Sequence, residues 1–127
     1  MTARIIHSQS TQEYWFEEGC YIQEIGNSPD DPDVSIARAR VRPGECTCWH
    51  RLDGISERYL VTAGRGTVEI GELAPESVGP GDLVVIPPGF RQRIRNDGDQ
   101  DLVFYAICSP RFDPSCYRTL ESPPRDA

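Results

Sequence analysis

The amino-acid sequence predicts an all-β fold, and three features support this. No window of about ten residues combines a helical period of apolar residues with capping residues at both ends. Apolar and polar residues instead alternate over short stretches. Eleven glycines and eleven prolines punctuate the chain, as expected where strands are joined by tight turns. We therefore expect a sandwich or barrel of short strands.

About eight segments have the pattern expected of strands. In the clearest of them, residues 34–41, the small uncharged side chains of Ser35, Ala37, Ala39 and Val41 share one face, which we expect to point inward. The predicted strands are residues 14–17, 21–25, 34–41, 57–62, 66–70, 83–86, 91–95 and 102–107. Residues 27–33 (NSPDDPD) carry two prolines and three aspartates and are predicted to form a loop.

Length and composition fit one domain that spans residues 1–127. Its core is expected over about residues 12–108, because the predicted strands end there. Residues 109–127 contain four prolines and form a predicted tail of little regular structure, which wraps the barrel and frays from residue 121. There is no internal repeat and no linker that would divide the chain further.

Charge and cysteine content restrict the partners that we expect. Thirteen basic and twenty acidic residues give a net charge of -7, which disfavours nucleic acid and anionic membranes as partners. No apolar run approaches the roughly 18 to 20 residues of a membrane helix, and the N-terminus lacks a secretory signal. Five cysteines, an odd number, argue against a disulfide framework. The expectation is a cytoplasmic protein with reduced thiols.

Two motifs carry the chemistry of the sequence. Residues 44–64 read GECTCWHRLDGISERYLVTAG, and residues 81–96 read GDLVVIPPGFRQRIRN. Their spacing resembles the two motifs of the cupin superfamily, and eight of the ten motif positions carry the family residue: Gly44, His50, Glu57, Gly64, Gly81, Pro87, Gly89 and Asn96. The resemblance covers about residues 36–107. It implies a cupin double-stranded β-helix, which is a jelly-roll barrel.

The two departures from the family pattern concern metal binding. Leu52 and Gln92 stand where the family places histidines that bind metal. The resemblance therefore implies a degenerate site for a divalent iron, manganese, zinc or nickel ion, held by His50 and Glu57 with the side-chain oxygen of Gln92 as a weak third ligand. Imidazole and carboxylate suit these metals, whereas a neutral amide in place of an imidazole should weaken binding. The same three residues could instead line a metal-free polar pocket.

Three functions are consistent with these residues, and all of them involve a small organic ligand. The first is a metal-dependent enzyme, such as a dioxygenase or an isomerase. The second is a metal-free epimerase or isomerase, in which His50 is the general base, poised by Glu57, and Tyr59 is the acid. The third is a binding module without turnover. The sequence names neither substrate nor reaction.

Cys46, Cys48 and His50 alternate along the chain, as the ligands of a soft zinc or copper site would. Residues that alternate along one strand lie roughly 6 to 7 Å apart, and inward cysteines commonly pack as small apolar residues. We therefore favour packing as the role of both cysteines.

Two outer surfaces are also predicted. Arg91, Arg93 and Arg95 share one strand face, which is interpreted as a solvated face or an interface row of salt bridges. Aromatic residues 14–16 would be partly exposed on a lone barrel. Because small cupins usually pair through sheet edges, the resemblance together with this aromatic segment predicts a homodimer.

Overall fold

The alternating segments form eleven strands in the computed structural model, which describes residues 1–121. The strands are β1 (Tyr14–Phe16), β2 (Cys20–Ser28), β3 (Asp31–Val41), β4 (His50–Leu52), β5 (Ser56–Ala63), β6 (Gly66–Ile70), β7 (Glu76–Val78), β8 (Leu83–Ile86), β9 (Gln92–Asn96), β10 (Leu102–Ser109) and β11 (Tyr117–Thr119). The helical elements of the described part are two short 3₁₀ turns. None of its helices is long and apolar enough to cross a membrane.

The strands form two antiparallel sheets. Sheet A has the order β1-β2-β3-β10-β5-β8, and sheet B has the order β11-β4-β9-β6-β7. Apolar side chains from the two sheets pack together in one main core cluster that includes Val41, Ile94, Leu102 and Phe104, each at most 1% exposed. The all-β prediction and the jelly-roll arrangement are confirmed.

The inner face of sheet A carries small side chains at its centre. Ala37 pairs with Ala106, which pairs with Tyr59 on the next strand. In the neighbouring row Cys108 lies between Ser35 and Glu57. Since side chains paired across strands point to the same face, the two alanines lie side by side and leave space between the sheets. The inward face predicted for residues 34–41 is correct, because the described side chains of Ser35, Ala39 and Val41 are buried.

The inner face of sheet B presents the polar residues of the two motifs. His50 on β4 pairs with Gln92 on β9, which pairs with Ile70 on β6. His50 and Gln92 are both 1% exposed. Leu52, two residues after His50, packs in a smaller apolar cluster with Ile55. The fold therefore places His50 and Gln92 side by side, facing sheet A.

Gly64 shows why one motif position requires glycine. Its φ is +78°, a conformation that side chains with a Cβ rarely adopt, and a Cβ there would lie 2.5 Å from the carbonyl oxygen of Asp101. The turn after β5 can therefore approach the start of β10 only with glycine at this position.

The loop predicted for residues 27–33 is wrong. β2 and β3 continue through this segment, and the turn between them is limited to residues 29 and 30. The pairing of β10 with β3 ends at Ser35, and Asp31 pairs with Ser28 on β2. Pro32 can lie in a strand there because its missing N–H would face no second neighbour.

The tail has more structure than predicted. Tyr117–Thr119 form the short strand β11, which pairs with β4. Phe112, Cys116 and Tyr117 pack on the cluster around Leu52 and close that end of the barrel, and this apolar contact supplies the tertiary support that the local sequence lacks. The fraying predicted for residues 121–127 falls on residues outside the described part, except for residue 121.

The arginine row lies on the outer face of sheet B, as predicted. The guanidinium groups of Arg91 and Arg93 lie 4.6 and 4.4 Å from the centre of the Trp49 ring, and Arg93 Nε lies 2.9 Å from Glu69 Oε1. In the aromatic segment, Phe16 packs edge-on against the Tyr117 ring of the same chain, 5.3 Å between centres. The homodimer expected from the aromatic segment stays a prediction.

Asn96 joins the end of β9 to two other parts of the barrel, and its replacement tests this role. Its Nδ2 donates to the carbonyl oxygens of Val41 at 2.9 Å and Gln100 at 2.7 Å, and its Oδ1 accepts from the Gly98 N–H at 2.9 Å. We expect Asn96→Ala to lower the free energy of unfolding by about 2 to 4 kcal/mol, because these groups lose their partner inside the protein. Urea unfolding measures the free energy of unfolding of both variants and of the wild type. The exposed Asp99→Ala in the same turn is the matched control, and equal losses in both variants would contradict the assignment.

Candidate active site

A cavity lies on the inner face of sheet A, beside the paired alanines Ala37 and Ala106. Its empty space, counted out into the solvent at its mouth, is about 550 Å³. Most of its wall is apolar or aromatic, and most of its polar side chains come from the first motif and from the N-terminal part of the chain. It is lined by Tyr14, Phe16, Glu18, Ile22, Glu24, Ser35, Ala37, Ala39, Glu57, Tyr59, Phe104, Ala106, Cys108 and Phe112.

Glu57 is a buried carboxylate in the wall of this cavity, and it is 8% exposed. Gln92 Nε2 donates to its Oε1 at 2.9 Å, and the Cys108 thiol donates to its Oε2 at 3.7 Å. Burial raises the pKa of Glu57 to about 7, with a further increase from the negative charge of Glu18 that outweighs the lowering by His50, Gln92 and Cys108. The group can therefore exchange a proton near neutral pH.

A chain of hydrogen bonds from Tyr59 through Gln92 holds the Glu57 carboxylate in place. Because the Glu57 carboxylate only accepts hydrogen bonds when ionised, the Gln92 amide turns its NH₂ toward Glu57. The Gln92 Oε1 then accepts a hydrogen bond from the Tyr59 hydroxyl. Burial, with a further contribution from the Glu57 charge, raises the pKa of Tyr59 well above its ordinary value. The phenol thus stays protonated and anchors Gln92, and its predicted part as a catalytic acid stays a prediction.

His50 contacts Glu18 rather than Glu57. Its Nδ1 lies 2.7 Å from the carbonyl oxygen of Cys48, so Nδ1 carries the hydrogen. Its Nε2 lies 3.3 Å from Glu18 Oε1, and the ring stacks on Tyr117 with centres 5.3 Å apart. A lone pair on Nε2 would repel an ionised carboxylate, so this contact is favourable when the pair holds one further proton. His50 and Glu18 therefore form an ion pair when the imidazole is protonated.

Glu18 is the site residue that sequence reasoning missed. It lies in the turn between β1 and β2, where its carbonyl oxygen accepts the Cys48 N–H at 2.7 Å. The Cys20 thiol donates to its Oε2 at 3.3 Å. It lies 32 residues before His50 and outside both motifs. A glutamate in a turn ordinarily indicates an exposed side chain, so no local signal in the sequence distinguishes it.

The residues brought together do not fit the metal site that the resemblance implied. Gln92 Oε1, the expected third ligand atom, accepts the Tyr59 hydroxyl, and His50 Nε2 faces Glu18. Leu52, at the fourth ligand position, is buried in an apolar cluster. Across residues 1–121, no group of three or more histidine, cysteine, aspartate or glutamate side chains is arranged to hold a metal ion. The donors point to a network of internal hydrogen bonds.

The cysteines before His50 do not form a regular row. The chain is not in a strand over residues 47–49, and Cys46 forms only an isolated bridge with Arg95. Cys48 is buried, and Cys46 is partly exposed. Burial raises the pKa of both thiols, that of Cys48 to about 11. They therefore stay protonated, as packing residues do.

Curated relatives include two enzymes. The chain is 32% identical to a 5-aminosalicylate 1,2-dioxygenase from Comamonas sp. over 100 aligned residues. The aligned part covers 79% of this chain and 25% of the dioxygenase. It is 33% identical over 75 residues to an (R)-mandelonitrile lyase from Granulicella tundricola, which covers 59% of this chain and 56% of the lyase. The chain thus spans between a quarter and somewhat over half of the length of these relatives.

Solved structures with the same fold share little sequence. A Streptomyces protein, the nucleoside dehydratase Pac13, superposes with a TM-score of 0.80 at 18% identity over 97% of this chain and 95% of its own. KdgF from Halomonas sp. gives 0.77 at 18% identity over 90% and 99%. The family model Cupin_2, described as a cupin domain, matches residues 37–108, which is more than half of the chain and includes both motifs. The chain therefore belongs to the cupin domain family.

Proposed function

We propose that this barrel is an acid–base enzyme that transfers protons on a small organic substrate without a metal. One observation carries the proposal: Glu57 lines the cavity, and burial and a neighbouring carboxylate raise its pKa to about 7. A general base works best when its pKa lies near the working pH. Strongly shifted carboxyl groups in clefts are typical of catalytic sites.

Four residues have a part in this chemistry. Glu57 takes a proton from a carbon of the substrate, and Gln92 fixes the carboxylate in one orientation through its hydrogen bond to Oε1. Glu18 with His50 holds a second proton, which it gives to the leaving group or to another carbon of the substrate. The first outcome is an elimination, and the second is an isomerisation.

Similarity to known proteins supports this class of reaction. One relative is a lyase, and one structural neighbour is a dehydratase. Both names denote bond cleavage without hydrolysis or oxidation, and such eliminations need a base and an acid on the substrate. The substrates of those proteins are not transferred to this chain.

A second candidate is a metal-dependent reaction such as dioxygenation. The observation in its favour is the relative named 5-aminosalicylate 1,2-dioxygenase, which matches 79% of this chain. His50 and Glu57 stand at two of the family's ligand positions, and Gln92 would be the third ligand. The hydrogen bonds of Gln92 to Tyr59 and Glu57 argue against this candidate.

The proposal predicts a reaction that depends on Glu57 and not on metal. Wild-type protein, treated with a chelator, is incubated in D₂O with a mixture of small bacterial metabolites, and mass spectrometry detects compounds that gain deuterium or lose water. We expect at least one such compound. Glu57→Gln should lower its rate by about 10²- to 10⁴-fold, because the base is removed while its shape is kept.

The matched control for this experiment is Glu76→Gln, an exposed glutamate on sheet B. It should behave as wild type. A reaction that persists in Glu57→Gln, or one that the chelator abolishes, would overturn the proposal, and so would the absence of any reaction.

Metal content separates the two candidates directly. Protein without a histidine tag is loaded with zinc, manganese, iron(II) or nickel, dialysed against a weak chelator and measured by elemental analysis. We expect the wild type to retain little metal, because the Gln92 amide and Leu52 replace two imidazoles. The double variant Leu52→His with Gln92→His should retain about one ion per chain. Equal retention by both proteins, lost in His50→Ala, would favour the metal-dependent candidate.

The pKa of Glu57 also predicts how stability changes with pH. A carboxyl whose pKa rises from 4.5 when unfolded to about 7 when folded stabilises the fold below pH 4.5, and this contribution is lost as the pH rises through about 7. The loss amounts to about 3 kcal/mol at most. Glu57→Gln lacks it, so the variant should gain stability relative to wild type between pH 5 and 8, roughly the window set by the two pKa values. Urea unfolding across that range measures the difference, and a constant difference would contradict the shift.

A further inference from the structure

The charged side chains that line the cavity all have the same sign. Glu18, Glu24 and Glu57 are carboxylates, and no arginine, lysine or histidine side chain is among the lining residues. Two basic side chains lie nearby. His50 Nε2 lies 3.3 Å from Glu18 Oε1. Arg111 acts on Glu24, and its Nε donates to Asn27 Oδ1 at 2.7 Å. The cavity surface itself therefore offers negative charge alone.

Glu24 is the carboxylate that the proton-transfer scheme leaves unused. It lies on β2 opposite Ala37, in the row of small side chains that forms the cavity. The side chain is partly buried and has no hydrogen bond or ion pair to the other residues of the described chain. Burial raises its pKa, and Arg111 offsets only part of this. A partly buried carboxylate whose charge the protein offsets only in part is costly, and a cation from solution would compensate it.

Aromatic rings form much of the remaining wall. Tyr14 lies close enough to Glu24 for the carboxylate charge to raise the pKa of the phenol, after the larger effect of burial. Phe16, Phe104 and Phe112 line the same space. The faces of aromatic rings attract organic cations, and such contacts are strongest where water is excluded. Rings and carboxylates together are the combination that recognises an ammonium group attached to an apolar body.

We propose that this cavity selects small organic cations, namely protonated amines that carry a ring or a similar apolar group. The ammonium group lies beside Glu24 and the deeper carboxylates, and the apolar body rests on the surface formed by Ala37, Ala106 and the aromatic rings. Anionic substrates such as carboxylic acids are repelled. The inference rests on the proposed use of this cavity as the substrate site, and it adds the charge class of the substrate.

Three probes of nearly equal size and different charge test this proposal: benzylamine, benzyl alcohol and benzoate. Their binding to the full chain is measured at pH 7.5 by isothermal titration calorimetry and by chemical-shift changes in NMR spectra. We expect benzylamine to bind at least about tenfold more tightly than benzyl alcohol, since one close charge pair in a partly desolvated site exceeds 1.4 kcal/mol. Benzoate should bind more weakly than the alcohol. Added salt should weaken the binding of benzylamine alone.

Two variants locate the effect. Glu24→Gln keeps the shape of the side chain and should lower benzylamine affinity at least about fivefold, because one of the charges that attract the amine is gone. The affinity of benzyl alcohol should not change. The control Glu76→Gln removes the same charge from exposed β7 and should change neither. Ala106→Leu fills the cavity and should abolish the binding of both ligands, while its thermal unfolding shows whether the barrel stays folded.

The outcomes separate this inference from the proposed function. Benzoate that binds as tightly as benzylamine, a failure of benzylamine to bind, or equal losses for both ligands in Glu24→Gln would each overturn the charge selection. These measurements need no turnover. Selective binding of benzylamine without any reaction in the metabolite experiment would keep the cation site and reject the acid–base enzyme. Turnover of an anionic compound that depends on Glu57 would do the reverse.

Discussion

The burial of two carboxylates in one narrow barrel is the constraint on which the rest of the structure depends. An ionised carboxyl group is expensive to remove from water unless donors surround it. Glu57 accepts hydrogen bonds from the Gln92 amide and the Cys108 thiol. Glu18 accepts a hydrogen bond from the Cys20 thiol and lies beside the His50 imidazole. Each carboxylate therefore contacts one cysteine thiol and one other polar side chain. Five strands and a turn must keep their places for this set to form.

The replacement of the second-motif histidine by Gln92 changes what the family's scaffold can do. A histidine at that position offers one lone pair to a metal. Gln92 has both a donor and an acceptor: its NH₂ donates to Glu57, and its oxygen accepts from the Tyr59 hydroxyl. Leu52 completes the change, because it joins the apolar cluster with the C-terminal tail and offers no lone pair to a metal. A position that binds metal elsewhere in the family is thus occupied here by Gln92, which holds the Glu57 carboxylate by a hydrogen bond.

The sequence predicted the parts of the fold that repeat and missed those that depend on distant contacts. Alternation identified the inner face of β3, and motif spacing brought His50 and Gln92 onto paired strands. No local pattern could reveal Glu18, since its burial is produced by a backbone contact with Cys48 far along the chain. The same holds for β11, which forms because the barrel end is apolar. Residues 27–33 form strands in place of the predicted loop, because proline and aspartate are compatible with a strand end that lacks a second neighbour.

The paired alanines of sheet A have a consequence for how this protein can change. Ala37 and Ala106 occupy one cross-strand row with Tyr59, and Glu57 and Cys108 occupy the next. Two methyl groups that make no hydrogen bond thus form part of the cavity wall. Larger side chains at these two positions would narrow the ligand space without replacing a hydrogen-bonding group of Glu57. Evolution, or an engineer, can vary what enters the barrel separately from the chemistry that acts on it.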